Sequence, residues 1–253
     1  MDLLFLIILG GLWGSFANVC IVRMPKDKGV VSGRSNCPKC KKQISWKDNI
    51  PIISYFLLGG KCRKCKKPIS FRYVVVELLS IISFVLIYYL FALSWTTLLL
   101  IVLSLGFIII FFIDLEHFII PNLVTFPLMA IGFLKSFIPD LDPIFPNYIM
   151  SLIGGIFGYG IIWAIIFFYK QVKNKEGMGL GDAKLFAVIG FWFGWISIPF
   201  IVFLSSLIAL VSVIPSLINK SKQMSSEIPF GPYIIIATAI FIFFKESFTN
   251  FLL

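Results

Sequence analysis

Two C-x-x-C pairs and three carboxylates set in apolar surroundings are the groups whose types and spacing can do chemistry in this 253-residue sequence. Cys37-Pro-Lys-Cys40 and Cys62-Arg-Lys-Cys65 are separated by 21 residues, close to the spacing of a four-thiolate zinc site. Each pair can turn both sulfurs toward one tetrahedral ion, and four thiolates leave no open coordination position, so the expected zinc is structural. A disulfide framework is the competing reading, favoured only if the segment faces an oxidising compartment. Haem attachment would need a His after the second Cys, and none follows either pair. The fifth cysteine, Cys20, lies in an apolar run and reads as a small core residue.

The carboxylates are Glu77, Asp114 and Asp182. Acidic groups inside membrane spans are costly and point to function by default. Asp114 closes the uncharged run 97–113, and Asp182 follows Gly177-Met178-Gly179-Leu180-Gly181. Two such aspartates, on different spans but at one depth, can meet across a bundle. Repulsion then leaves one protonated and one ionised, which is the arrangement of an aspartic protease. Glycines at 177, 179 and 181, without Cβ, would let an extended substrate approach the second aspartate. The bland reading is a pair of interfacial acids that reach water, or an ion pair with Lys184. Glu77 reads as an interhelical hydrogen-bond partner ahead of a substrate contact. His117, the only histidine, reads first as a boundary residue and second as a partner that orients Asp114. No serine nucleophile elbow and no H-E-x-x-H is present.

The elements that must position these groups follow from composition. The chain is 59% hydrophobic and 13% charged, with a mean hydropathy of +0.98, well outside the range of soluble domains. Apolar runs long enough for a hydrocarbon core of about 30 Å occur at 3–22, 73–92, 95–113, 119–138, 147–169, 183–199, 200–218 and 232–251. The expected fold is an all-α polytopic membrane protein of about eight transmembrane helices, with the break between the sixth and seventh marked by Ser197 and Pro199. The first run lacks a basic n-region and reads as a retained span. Its domains are a first helix (1–22), a cytosolic four-Cys insert (23–72) and a seven-helix core (73–253).

Charge sets the orientation. Of the 22 Lys and Arg, 14 fall in 23–72 against only Asp27 and Asp48. If eight spans alternate, only Lys135 and Lys245 lie toward the opposite face, so the basic side is cytoplasmic. Topology and attraction to anionic headgroups account for this charge, which argues against nucleic-acid binding. Residues 23–72 are too few and too polar to build a core unaided, so a metal would supply the folding energy. No internal repeat is expected from the sequence.

The ordered motifs resemble those of bacterial prepilin peptidases, the type IV leader peptidases. They include Gly14-Ser15-Phe16-Ala17-Asn18-Val19, Ser35 through Cys40, Asp48-Asn49-Ile50-Pro51, Gly60 through Cys65 and Val76-Glu77. Residues 114–122, 177–185 and Pro229-Phe230-Gly231-Pro232 complete the match. Asn122 stands where many members carry Asp, and Val74 where a proline is frequent. The resemblance implies removal of a short basic leader from type IV prepilins or pseudopilins, after a glycine and at the cytoplasmic face of the inner membrane. Asp114 and Asp182 fall on the family's catalytic pair. The four-Cys insert accompanies members that also methylate the new N-terminus with S-adenosylmethionine, although no nucleotide loop names the residues that would hold it. Membrane lipid is an expected partner, and self-association into a homo-oligomer stays open. The rivals are a related G-x-G-D intramembrane protease with other substrates and a non-enzymatic scaffold or transporter whose acids bind protons.

Overall fold

The computed structural model describes residues 3–30, 35–138, 141, 143–173, 178–218 and 228–252. Their regular structure is helical, with two isolated β-bridges and no strand among them, and most of the described part of 27–71 is turns and loops. The chain divides into two compact units, 1–109 and 110–253.

In the first unit α1 (Leu3–Arg23) packs on α3 (Arg72–Phe91). Leu6, Gly10, Gly14, Ala17 and Ile21 form the buried stripe of α1, at the spacing of one helix face. Its other faces carry exposed Leu4, Ile8 and Leu12. Lipid tails offer no hydrophobic drive between helices, so small residues that let backbones approach hold such pairs. A Cβ at Gly14 would stand 2.7 Å from the Glu77 Cα. Between α1 and α3 the chain forms two short hairpins and the single-turn helix α2 (Ile53–Leu57). The first part of α4 (Trp95–His117) also belongs to this unit.

The second unit holds the end of α4, then α5 (Asn122–Leu134), α6 (Tyr148–Lys173), α7 (Leu180–Phe193), α8 (Ser197–Ile218) and α9 (Gly231–Leu252). At its centre is α7, with Leu185, Phe186, Val188, Ile189 and Trp192 fully buried. Gly154 and Gly158 of α6 face the Gly190 and Phe186 carbonyls of α7 so closely that a Cβ at either would collide with them. Ser151 Oγ donates to the Phe191 carbonyl (2.7 Å), and the Trp192 indole N–H donates to the Leu128 carbonyl (2.8 Å), tying α6 and α5 to α7.

Among the described residues five helices are long and apolar enough to cross a membrane: α1 continued to Lys26, α3, α4, α6 and α8 over Ser197–Ile214. The apolar segments Asn122–Phe137 and Gly231–Phe244 are shorter. α7, at 14 residues, spans about 21 Å. The break before α8 falls at Gly194–Ile196 and not at Pro199. Gly194 takes φ +80, which a Cβ disfavours, whereas Pro199 sits in the first turn of α8, where its missing N–H costs nothing. The fourth apolar run likewise starts its helix only at Asn122, after Phe118 adopts φ 58 and Pro121 stays extended. Lys135, expected toward the opposite face, is buried with its ammonium 4.0 Å from the Phe145 ring centroid.

Candidate active site and metal centre

Asp114 lies in the last turn of α4 and is buried. Its Oδ2 accepts the Gly231 N–H at 2.9 Å. Gly231 opens α9, where amides lack a helical acceptor and carry the positive end of the helix dipole. A Cβ at 231 would stand 2.8 Å from that same oxygen, so this approach requires glycine. Asp182 is the third residue of α7, also buried. Its Oδ2 accepts the Gly179 N–H (3.2 Å), and its own N–H donates to the Gly179 carbonyl (3.1 Å), a reciprocal helix cap. The two carboxylates are close enough for the charge of Asp114 to act on Asp182. Both therefore belong to the second unit, and each is held through Oδ2 by an amide at a helix start.

No Lys, Arg or His pairs with either aspartate among the described residues. Lys184 Nζ donates instead to Asn122 Oδ1 at 2.8 Å, which removes the bland ion-pair reading of Asp182. His117 is exposed and makes no hydrogen bond to Asp114. Gly181 has a packing reason, since a Cβ there would lie 3.0 Å from Ile120 Cβ. Around Gly179 the same test finds nothing nearer than 3.6 Å, so space is open there. Gly177 lies outside the described residues. Glu77 belongs to the first unit. Its Oε2 accepts the Ile52 N–H at 2.7 Å, and Ser15 adds a further hydrogen bond.

The four cysteines of the two pairs converge, with all Sγ atoms within 4.8 Å of one another and Cys37 Sγ 3.9 Å from Cys65 Sγ. A tetrahedron with metal–sulfur bonds of about 2.3 Å has edges of about 3.8 Å, so the donor set fits a four-thiolate ion. All five cysteines are free thiols, against the disulfide reading. The amides of Cys65 and Lys64 donate to Cys62 and bring its thiol down to about 6. The Lys67 amide pulls Cys65 the same way, yet desolvation and the neighbouring thiols push it up to about 11. A divalent metal would displace such shared protons.

The hairpins are copies of one another. Cys37 N–H to Lys42 O and Lys41 N–H to Cys37 O recur as Cys62 to Lys67 and Lys66 to Cys62, at 3.0 and 2.9 Å in both. Lys41 and Lys66 share φ 57. The repeat, unexpected from the sequence reading, is nevertheless visible there: C-P-K-C-K-K-Q-I-S-W at 37–46 answers C-R-K-C-K-K-P-I-S-F at 62–71. Only the second copy carries Arg63, whose guanidinium grips Asp48 (2.8–3.0 Å) and holds its carboxyl below the usual range. Gly231 was also missed as a site residue. Its signal is a helix start, Gly231-Pro232, opening the last apolar run.

Fold and site define an integral membrane protein of helices that buries an aspartate pair in one unit and builds a four-thiol site in the other. Two family models match: the bacterial peptidase A24 N-terminal domain over 8–91, and the type IV leader peptidase family over 100–214. The prepilin leader peptidase/N-methyltransferase of Aeromonas hydrophila is 34% identical, across 95% of this chain and 90% of the relative. The protein of the same name from Pseudomonas aeruginosa is 32% identical, across 96% and 91%. That from Vibrio cholerae serotype O1 is 35% identical, across 96% and 98%. The chain belongs to the type IV leader peptidase family. No solved structure matches it.

Proposed function

We propose that this protein is a membrane aspartic endopeptidase that removes the basic leader from type IV prepilins or pseudopilins after glycine, and that it also N-methylates the N-terminus so exposed. The buried, cation-free pair Asp114 and Asp182 carries the peptidase reading. Each pins one carboxylate oxygen on a backbone amide, and its Oδ1 makes no hydrogen bond among the described residues.

The chemistry follows from two like charges at close quarters, of which only one is retained. The ionised aspartate takes a proton from water as the water oxygen attacks the scissile carbonyl, and the protonated aspartate gives its proton to the carbonyl oxygen. When the tetrahedral intermediate collapses, the C–N bond breaks. The amine leaves with the proton that came from water, and the second aspartate recovers its own. The N-terminal amides of α7 and α9 fix both carboxylates for these transfers.

Cys37, Cys40, Cys62 and Cys65 would hold a structural zinc, which supplies folding energy to 23–72. The domains proposed are 1–22, 23–72 and 73–253, with α9 as a full-length span and the shorter α5 and α7 completing eight through local thinning of the bilayer. The concentration of Lys and Arg in 23–72 supports a cytoplasmic location for that segment, and for the ends of α4 and α7 that carry the aspartates, in the inner membrane.

Cleavage of a prepilin by purified wild type, Asp114→Asn and Asp182→Asn tests this reading. Wild type should cut after the glycine, and each variant should lose at least about 10³-fold in rate. Substantial cleavage by either variant would sink the two-aspartate mechanism. A scaffold or proton carrier would survive both substitutions. Methyl transfer would appear as a product heavier by one methyl in place of hydrogen.

A further inference from the structure

Outside the aspartate site, the first unit contains a cavity of about 480 Å³ between α1, α3 and the hairpin insert, a size suited to a small-molecule ligand. Three observations give it the character of a built site. Asn18, 2% exposed, lines it and donates through Nδ2 to the Tyr73 carbonyl at 3.0 Å. Only the amide nitrogen can donate to a carbonyl, so this bond fixes the side chain and leaves Oδ1 buried without a partner among the described residues. Such orphaned acceptors are uncommon and need an occupant to explain them.

Second, Glu77, 8% exposed, lines the same cavity with no basic side chain paired to it among the described residues. A buried carboxylate without a cation is costly, and a cationic ligand removes that cost. Third, Ile52 on the cavity wall adopts φ 62, ψ −53, an outlying conformation for a β-branched residue. Its N–H is held by Glu77 at 2.7 Å. Residues held in this way cluster at ligand clamps.

The lining thus combines buried acceptors, from Asn18 and Glu77, with aromatic rings, Tyr55 and Tyr73 among them, and with four basic side chains, of which Arg63 is engaged by Asp48 and Arg23 lies at the end of α1. A sulfonium methyl donor matches this set. It presents a sulfonium and an ammonium to the acceptors, a carboxylate to the basic side chains, and a flat purine and a positive charge to the rings. We infer that this cavity is the S-adenosylmethionine site, with Glu77 and Asn18 receiving the donor's cationic end. The inference rests on the methyl-transfer reading above and adds the residues that the sequence did not name. When bound, the donor supplies a methyl group: an N–C bond to the amine forms as the S–C bond breaks, the bonding pair stays on sulfur and the amine proton passes to solvent.

The test is equilibrium binding of radiolabelled S-adenosylmethionine to the full-length protein in detergent, for wild type, Glu77→Gln and Asn18→Leu. Prepilin cleavage and metal content report on folding. Each substitution should weaken donor binding by about tenfold to a hundredfold while cleavage persists. As a measurement independent of variants, ultraviolet cross-linking of the labelled donor to wild type should mark peptides covering 15–23, 46–58 or 69–77. Wild type that methylates, yet whose donor affinity is unchanged by both substitutions or whose label maps elsewhere, overturns this inference alone. Wild type that neither methylates nor binds the donor overturns the methyl-transfer reading and this inference with it.

Discussion

Substituting Gly231 by alanine tests whether the α9 amide positions Asp114 for catalysis. The added Cβ would stand 2.8 Å from Asp114 Oδ2, against the 3.4 Å at which ordinary van der Waals contact begins. The carboxylate must withdraw by the difference, and the 2.9 Å bond from the Gly231 N–H then stretches beyond hydrogen-bonding range. A hydrogen bond to a charged group is worth about 1.5–3 kcal/mol, which converts to a rate loss of about tenfold to 150-fold. A misplacement approaching 1 Å at a reacting group gives a similar loss, on the order of 10²-fold. Steady-state cleavage of a prepilin peptide should therefore show kcat reduced by that factor with KM nearly unchanged, because the lost interaction acts on the reacting carboxylate and not on substrate binding. Methylation of a pre-cleaved pilin, proposed for the other unit, should continue at the wild-type rate and so exclude general misfolding. Gly231→Ala with kcat within about twofold of wild type would refute the positioning role, since the loss would then fall below 0.5 kcal/mol or so.

Metal analysis of the purified chain should find one zinc per protein, lost in Cys37→Ser and Cys62→Ser together with protection of 35–71 from proteolysis; well-folded wild type without metal would contradict the four-thiolate assignment. Gly190→Ala places a methyl against the Gly154 backbone, and overpacking of this kind costs about 1–3 kcal/mol. Its thermal midpoint in detergent should fall accordingly, and an unchanged midpoint would mean that α6 and α7 are not held by this contact.

The cysteines and the two aspartates are legible in the sequence because their chemistry resides in residue type and spacing. Paired C-x-x-C thiols in a polar insert, and a carboxylate in an apolar run, have few other uses. The span boundaries are less legible because hydropathy measures transfer from water and is blind to backbone dihedrals. The run around Trp195-Ile196-Ser197-Ile198-Pro199 reads as continuous and suggests a break at its proline, whereas the chain turns at Gly194 with φ +80. The partners of Asp114 and Glu77 were hidden for a related reason. Both are backbone amides, of Gly231 and Ile52, and every residue but proline carries one. The bond from Asp114 spans 117 positions and follows no local pattern.

The duplicated hairpin changes what an arriving metal has to accomplish. Each copy closes on itself through its own backbone bonds, so two thiols are already presented together before any ion binds. The remaining search is a single encounter between two prepared halves, across the 21 residues between Cys40 and Cys62. Closing a flexible chain of that length costs on the order of 3 kcal/mol beyond a constant, well within the roughly 10–16 kcal/mol that structural zinc supplies. The segment drawn into this ring contains Ile52, with its left-handed backbone and its bond to Glu77. A coordination event that joined the hairpins would therefore tether both ends of the cavity's strained wall.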